Sequence, residues 1–233
     1  MNAPALRIAG VALAVLLGIW AGAIVHSNRS RARSHPGVAV PAGIASDPSR
    51  SDLAQSFDGA LPPPKIPDRL PQFSLEDRAG KATPIASFAG KSLIINFWAT
   101  WCAPCRSEIP LLESLHAEWQ PHGMSVVGIA VDHRDKVLEF ADRFKIAYPL
   151  LIGEQDALDA AAAFGVETPV FPFTVFTDLR GEVVALFVGE LHKPQAELIL
   201  AEVQKLNTGS IGLAAARHAI TAGLGELGPK GKQ

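Results

Sequence analysis

The chain has 233 residues, of which 48% are hydrophobic and 19% charged. This balance excludes an intrinsically disordered protein, because it supplies enough apolar side chains for a packed core. The 21 lysines and arginines are outnumbered by 23 aspartates and glutamates, so no excess of positive charge points to nucleic acid as a partner. The two cysteines are too few for a multi-disulfide scaffold or a four-cysteine zinc site.

The first predicted element is a membrane anchor within residues 1–26. The stretch Ile8–Val25 is apolar and carries no charge. At about 1.5 Å per residue, a helix over it spans roughly 27 Å, close to a hydrocarbon core of about 30 Å. A cleaved signal peptide is the alternative, since Ala21–Ala23 offers a small-residue cleavage site. The apolar region exceeds the usual ~7–15 residues of such a peptide, which favours a retained transmembrane helix.

Three further segments follow the predicted anchor. Residues 27–64 are rich in Ser, Pro, Gly, Arg and Ala and have no periodic pattern, which is typical of a flexible tether. Residues 65–206 are predicted to form a globular domain. Residues 207–233 form a tail rich in Gly and Ala, in which Ile211–Ala222 could form a short helix with no function assigned.

Strand and helix patterns alternate along the globular domain. In chain order, the predicted elements are strands Gln72–Glu76 and Ser92–Ala99, helix Ala103–Gln120, strand Ser125–Asp132, helix Asp135–Phe144, strand Tyr148–Ile152, helix Asp156–Phe164, strands Phe173–Asp178 and Glu182–Val188, and helix Pro194–Leu206. The strand–helix–strand units imply parallel strands, and the last hairpin implies an antiparallel edge. The predicted fold class is therefore α/β, with a mixed sheet flanked by helices.

Both cysteines lie in one motif, Cys102-Ala103-Pro104-Cys105, between a central strand and a helix. Unpaired N–H groups at a helix N-terminus stabilise a thiolate, and in such places a cysteine pKa of ~8.5 can fall to between ~3.5 and ~7.5. Cys105, one turn further, is expected to be more buried and less reactive. A purely structural disulfide would close only a tiny loop, and a zinc site would need two more ligands.

The segment Ile95–Cys105 (INFWATWCAPC) closely resembles the active-site segment of the membrane-anchored, thioredoxin-like TlpA/ResA/DsbE group. The resemblance covers roughly Pro67–Leu206 together with the N-terminal anchor. Arg106–Pro110 resembles the group's continuation, with an acidic residue three positions after the second cysteine. Phe173–Gly181 resembles the strand and turn after its cis-proline loop. The resemblance implies a thioredoxin-like fold and thiol:disulfide exchange.

In that exchange, Cys102 is predicted to attack a partner disulfide and Cys105 to resolve the mixed disulfide. The Cys102–Cys105 couple is then the redox group, and we predict no other cofactor and no metal. Thioredoxin carries an aspartate where this chain has Asn96, which cannot titrate. Glu108, one helical turn beyond Cys105, becomes the candidate for proton handling. The alternative for Glu108 is an exposed first-turn glutamate that interacts with the helix dipole.

The resemblance aligns Pro172 with the cis-proline, which would let residue 171 pair with a substrate strand. Pro169 is a rival, because the loop Gly165–Pro172 is longer than its counterpart in the group. Phe171 is bulky and would crowd the peptide-binding surface. Trp101 is predicted to shape access of the partner, with a plain core tryptophan as the alternative.

The resemblance implies a reductase of disulfide-containing client proteins, in cytochrome c maturation or oxidase assembly, re-reduced by a membrane thiol conduit. A thiol oxidase or isomerase is the alternative. The residues between the cysteines, Ala103 and Pro104, make an oxidase or isomerase less favoured, because strongly oxidising relatives usually place a thiolate-stabilising histidine there. A copper carrier using both sulfurs and His133 is a third hypothesis, although copper chaperone relatives space their cysteines by three residues rather than two.

The predicted location depends on the orientation of the anchor. Arg7 precedes the apolar stretch, whereas Arg29, Arg31 and Arg33 follow it. Read literally, the positive-inside rule places the domain in the cytoplasm. A tethered reductant is needed mainly where the surroundings oxidise thiols, and the cytosol already keeps them reduced. We therefore predict a single-pass protein of the inner (cytoplasmic) membrane, with its domain in the periplasm or otherwise on the outer side of the membrane.

Overall fold

The computed structural model describes residues 66–168 and 170–228. The predicted anchor, the predicted tether and Pro169 lie outside the described residues. Within the described ranges, no helix combines the length and apolar character needed to cross a bilayer.

Seven strands and five α-helices form within these ranges. The strands are β1 (Ser74–Asp77), β2 (Ala82–Pro84), β3 (Ser92–Trp98), β4 (Met124–Val131), β5 (Leu150–Gly153), β6 (Phe173–Thr177) and β7 (Val183–Val188). The helices are α1 (Ala103–Trp119), α2 (Arg134–Phe144), α3 (Gln155–Ala163), α4 (Lys193–Asn207) and α5 (Leu213–Leu227).

The strands form one mixed sheet in the order β2-β1-β5-β4-β3-β6-β7, which confirms the predicted α/β class. β3, β4 and β5 are parallel, while β6 pairs antiparallel with β3, and β7 pairs antiparallel with β6 at the edge of the sheet. Every residue of β3 and β4 is buried. Since successive side chains of a strand point to opposite faces, Ile94 and Trp98 enter one core layer and Ile95 and Phe97 the other. The active-site motif follows the end of β3, an interior strand of this sheet.

β2 is an element that the sequence analysis did not predict. The Asp77 carboxylate accepts hydrogen bonds from the N–H groups of Ala79 (2.8 Å) and Lys81 (3.0 Å), and Gly80 has a φ of 79°. This tight turn brings residues 82–84 back along β1. A three-residue strand that ends in proline carries almost no pattern of its own.

The packed part of the chain extends beyond Leu206, where the predicted domain ended. Helix α5 is longer than the predicted Ile211–Ala222, and it buries Ala216 and Ile220 in the same core layer as α4. Arg217 donates to the Val183 carbonyl through Nη2 (2.6 Å) and to Asp68 through Nη1 (3.0 Å). The tail therefore holds the edge strand and the start of the described chain together.

Gly223 allows α5 to approach α4 closely, because a Cβ at this position would overlap the side chain of Leu198. Gly223→Leu is therefore expected to lower stability by about 1–3 kcal/mol through overpacking. Gly225→Leu is the matched control, since a Cβ at this position would have no neighbour within 4 Å among the described residues. Leucine also has a higher helix propensity than glycine. Thermal unfolding of both variants measures the effect. An equal melting temperature for the two variants would contradict close packing of α5.

Candidate active site

The active-site motif starts helix α1 by a local capping arrangement. Cys102 is the N-cap residue with extended backbone angles, and Pro104 lies in the first turn, where a missing N–H leaves no bond unmade. The Cys105 N–H donates to Cys102 Sγ at 3.2 Å. The Cys102 sulfur thus occupies the place of a capping oxygen, directed at the positive end of the helix dipole.

A disulfide joins Cys102 and Cys105. The exposed fraction of Cys102 is 6% and that of Cys105 is 1%. Cys105 is the more buried of the two, as expected, although Cys102 is also largely covered. The neighbouring Trp101 is 66% exposed, so it is not a core tryptophan. The exposed Trp101 directly precedes Cys102 in the chain.

Glu108 is buried on helix α1, one turn beyond Cys105, with an exposed fraction of 1%. The alternative of an exposed first-turn glutamate is therefore wrong. Glu108 Oε1 accepts a hydrogen bond from Asn96 Nδ2 (2.7 Å), and Oε2 accepts one from the Leu191 N–H (2.9 Å). Burial and, to a smaller extent, the nearby charge of Glu190 raise the pKa of Glu108 to about 7, against the opposing effect of these two hydrogen bonds.

Asn96 connects Glu108 to the neighbouring strand, since its Nδ2 also donates to Thr174 Oγ1 at 3.0 Å. Thr174 lies opposite Asn96 in the pairing of β3 with β6, and it is fully buried. Sequence reasoning missed both Thr174 and the Leu191 N–H. A threonine in an apolar strand and a backbone amide in a loop carry no motif, so only the folded chain reveals them.

An aromatic surface lies on one side of the disulfide. The rings of Trp101 and Phe171 meet edge to face with centroids 6.1 Å apart, and Phe171 stacks on Phe173 at 6.3 Å. The peptide bond between Phe171 and Pro172 is cis, at the position that the resemblance indicated. Val170 is exposed beside them. The structure therefore brings Trp101 and Phe171 together, next to Pro172.

The sequence model of the AhpC/TSA family matches residues 66–187. Thiol-disulfide oxidoreductase ResA of Geobacillus thermodenitrificans is 30% identical over 135 residues, which cover 58% of this chain and 75% of ResA. Thioredoxin-like protein YneN of Bacillus subtilis is 33% identical over 55% of this chain and 75% of its own length. The crystal structure of a DsbF homologue from Corynebacterium diphtheriae is 26% identical and aligns with a TM-score of 0.50 over 62% of this chain and 89% of the homologue. The chain belongs to the AhpC/TSA family.

Within that family, the chain is a thiol-disulfide oxidoreductase, like the ResA proteins it resembles. Its site holds the groups that dithiol chemistry needs. Cys102 lies at the positive end of a helix, and Cys105 lies one turn inside it. Glu108 can gain or lose a proton near neutral pH, because its pKa is about 7. A pair of cysteines joined in this way can take up and release two electrons by thiol-disulfide exchange.

Sequence reasoning also missed Asp132, which lies directly after β4 and is largely buried. The Thr100 hydroxyl donates a hydrogen bond to Asp132 Oδ2, and the His133 N–H donates to Oδ1 at 2.8 Å. Asp132 thus anchors the residue two positions before Cys102. The imidazole Nδ1 of His133 lies 3.0 Å from Glu154. Across residues 66–168 and 170–228, no group of three His, Cys, Asp or Glu side chains is placed to hold a metal ion.

Proposed function

We propose that the protein reduces the disulfides of client proteins. The Cys102 thiolate attacks one client sulfur, which forms a mixed disulfide and releases the other client sulfur as a thiolate. The Cys105 thiolate then attacks Cys102 Sγ, re-forms the intramolecular disulfide and releases the second client thiolate. Two electrons pass from the dithiol to the client, and the scheme needs no other cofactor.

The surroundings of the two sulfurs support the proposed direction of electron transfer, from the protein to the client. Ala103 and Pro104 separate the cysteines and bring no cationic side chain. Glu108 places a buried carboxyl one turn from Cys105. When this carboxyl is ionised, it disfavours a second negative charge on the Cys105 sulfur. Strong oxidants of this kind owe their potential to a stabilised reduced form. A thiolate that is less stabilised than in such oxidants favours a reductant over a thiol oxidase or isomerase.

Two further roles belong to this proposal. Glu108 accepts the Cys105 proton before Cys105 attacks the mixed disulfide, since its pKa of about 7 suits proton transfer near neutral pH. The aromatic surface of Trp101 and Phe171, next to the cis bond of Pro172, receives the client backbone and apolar side chains around the client cysteine.

The proposed location is the outer face of the inner membrane. The apolar, uncharged stretch Ile8–Val25 supports a retained anchor, and residues 27–64 would allow the domain to reach its clients. Clients in cytochrome c maturation or oxidase assembly, and a membrane thiol conduit as electron donor, complete the proposal. Resistance of the domain to external protease in intact spheroplasts would contradict this location.

The reduction potential of the Cys102–Cys105 couple tests the direction. We expect the full-length chain in detergent, equilibrated with dithiothreitol and glutathione buffers, to have a value near the −270 mV of thioredoxin, to within roughly 30 mV. The fraction of reduced protein is measured by alkylation and mass shift. A value between about −120 and −180 mV would contradict the reductase proposal and favour disulfide formation or isomerisation.

A further inference from the structure

A second surface flanks the disulfide on the side of helix α2. It is a groove of about 310 Å³ between the active-site segment and α2, and we refer to it as the α2 groove. Its lining residues are Thr100, Arg106, Lys136, Glu139, Phe140, Arg143 and Phe144. Thr100 precedes Cys102 by two residues and Arg106 follows Cys105 directly, so the groove is continuous with the catalytic motif.

The floor of the α2 groove is apolar. The rings of Phe140 and Phe144 stack with centroids 4.2 Å apart, and Phe140 packs on Trp98 at 5.3 Å. Phe144 is 43% exposed. This floor can therefore receive an apolar side chain of a partner without rearrangement of the core.

The rim of the α2 groove is cationic, although the whole chain has a formal net charge of −2. Arg106, Lys136 and Arg143 line it, and Glu139 is the one carboxylate among the lining residues. Arg143 Nη2 lies 2.6 Å from Glu139 Oε1, and Lys136 Nζ lies 4.0 Å from Asp132 Oδ1. Asp132 already accepts hydrogen bonds from Thr100 and His133. Counting Glu139 and Asp132 against the three cations leaves an excess of one positive charge on the rim, that of Arg106.

The exchange reaction determines which residues of the client lie over the α2 groove. In the mixed disulfide, the client sulfur is bonded to Cys102, so the client residues next to its cysteine must lie over the surfaces that flank the motif. An extended segment advances about 3.3 Å per residue, which brings the residues within a few positions of the client cysteine over the α2 groove. We propose that this groove selects client segments in which acidic side chains flank an apolar one near the reactive cysteine.

Charge complementarity favours this occupant over a neutral or basic segment. A carboxylate beside Lys136 or Arg143 gains attraction at a solvent-exposed site, whereas a client lysine there meets like charge. The aromatic surface of Trp101 and Phe171 contributes no such discrimination, because it is apolar. The α2 groove thus adds selectivity to a reaction that the cysteines alone would perform on any accessible disulfide. This inference names a client class and rests on the proposed reductase function.

The test uses the reduced full-length protein in detergent and three short synthetic peptides. Each carries one cysteine linked by a disulfide to 2-mercaptoethanol, and they differ only in Asp, Gln or Lys at the positions flanking phenylalanine residues beside that cysteine. We expect the acidic peptide to react about tenfold faster than the neutral one. That advantage should shrink several-fold between low and about 1 M salt. The rates are followed by stopped-flow release of thiol.

Charge reversal identifies the residues responsible. Lys136→Glu combined with Arg143→Glu should abolish the preference for the acidic peptide and favour the lysine peptide, while the neutral peptide reports the intrinsic rate of each variant. Lys136→Gln with Arg143→Gln provides a milder pair if the first variant unfolds. Lys91→Glu is the matched control, since Lys91 is exposed and precedes β3 at the end opposite to Cys102. It should keep the wild-type preference.

The outcomes separate the two proposals. Equal rates for all three peptides would overturn selection by the α2 groove and leave the reductase function standing. A preference that persists in both double variants, or that Lys91→Glu also removes, would overturn the assignment to this groove. Failure to reduce any of the peptides would overturn the reductase function and the inference with it.

Discussion

Replacing Cys105 with serine is expected to stop the reaction at the mixed disulfide between Cys102 and the client. The hydroxyl that replaces the thiol cannot attack Cys102 Sγ, so the second exchange step is lost while the first remains. Release of the reduced client should fall by at least about a thousandfold, in line with the loss of an activated nucleophile. A covalent adduct should accumulate, visible on a non-reducing gel and lost on treatment with dithiothreitol.

Cys102→Ser is the matched control for this experiment. Cys102 is the helix N-cap whose sulfur accepts the Cys105 N–H, and its exposed fraction of 6% exceeds the 1% of Cys105. We therefore expect Cys102 to attack the client, and its serine variant should form no adduct. An adduct that forms with Cys102→Ser instead, or normal turnover by Cys105→Ser, would reverse the roles assigned to the two cysteines.

The parts of the fold that the sequence predicts are those specified by local pattern. β3 and β4 are mostly apolar runs buried on both faces, and such runs are typical of a central parallel sheet. The start of α1 was predictable because Pro104 and the two cysteines mark it within a few residues. The position of the reactive couple at the end of a central strand follows from these two features together.

The parts that could not be predicted depend on contacts between distant segments. Glu108 looks like an ordinary glutamate along the chain, and its burial depends on the Leu191 N–H, 83 residues away. The packing of α5 depends on a glycine that faces Leu198 and on an arginine that reaches Val183. Neither contact can be recognised from the local sequence, because a helix of small residues has the same sequence pattern whether or not it makes such contacts. Burial by distant segments, rather than a local motif, therefore raises the pKa of Glu108.

Because of this raised pKa, Glu108→Gln is the second variant for which we expect a large effect. Glu108 titrates at a pKa of about 7 in the folded protein, above its ordinary value of 4.5. The folded state therefore binds more protons than the unfolded state between these values. As a result, the free energy of unfolding falls as pH rises through this window. The expected fall is up to about 3 kcal/mol, at about 1.4 kcal/mol for each pH unit of difference, and Glu108→Gln should remove it.

The same substitution tests whether Glu108 acts in catalysis or only in folding. A neutral amide cannot take the Cys105 proton, so the resolving step near pH 7 should slow by about a hundredfold. The inflection near pH 7 in its pH–rate profile should also disappear. Glu118→Gln removes the same charge from an exposed position on the same helix and should change neither profile. A Glu108→Gln variant that loses the pH dependence of stability but keeps the wild-type pH–rate profile would restrict Glu108 to a structural role. In that case the proton of Cys105 must pass directly to solvent, which its burial opposes.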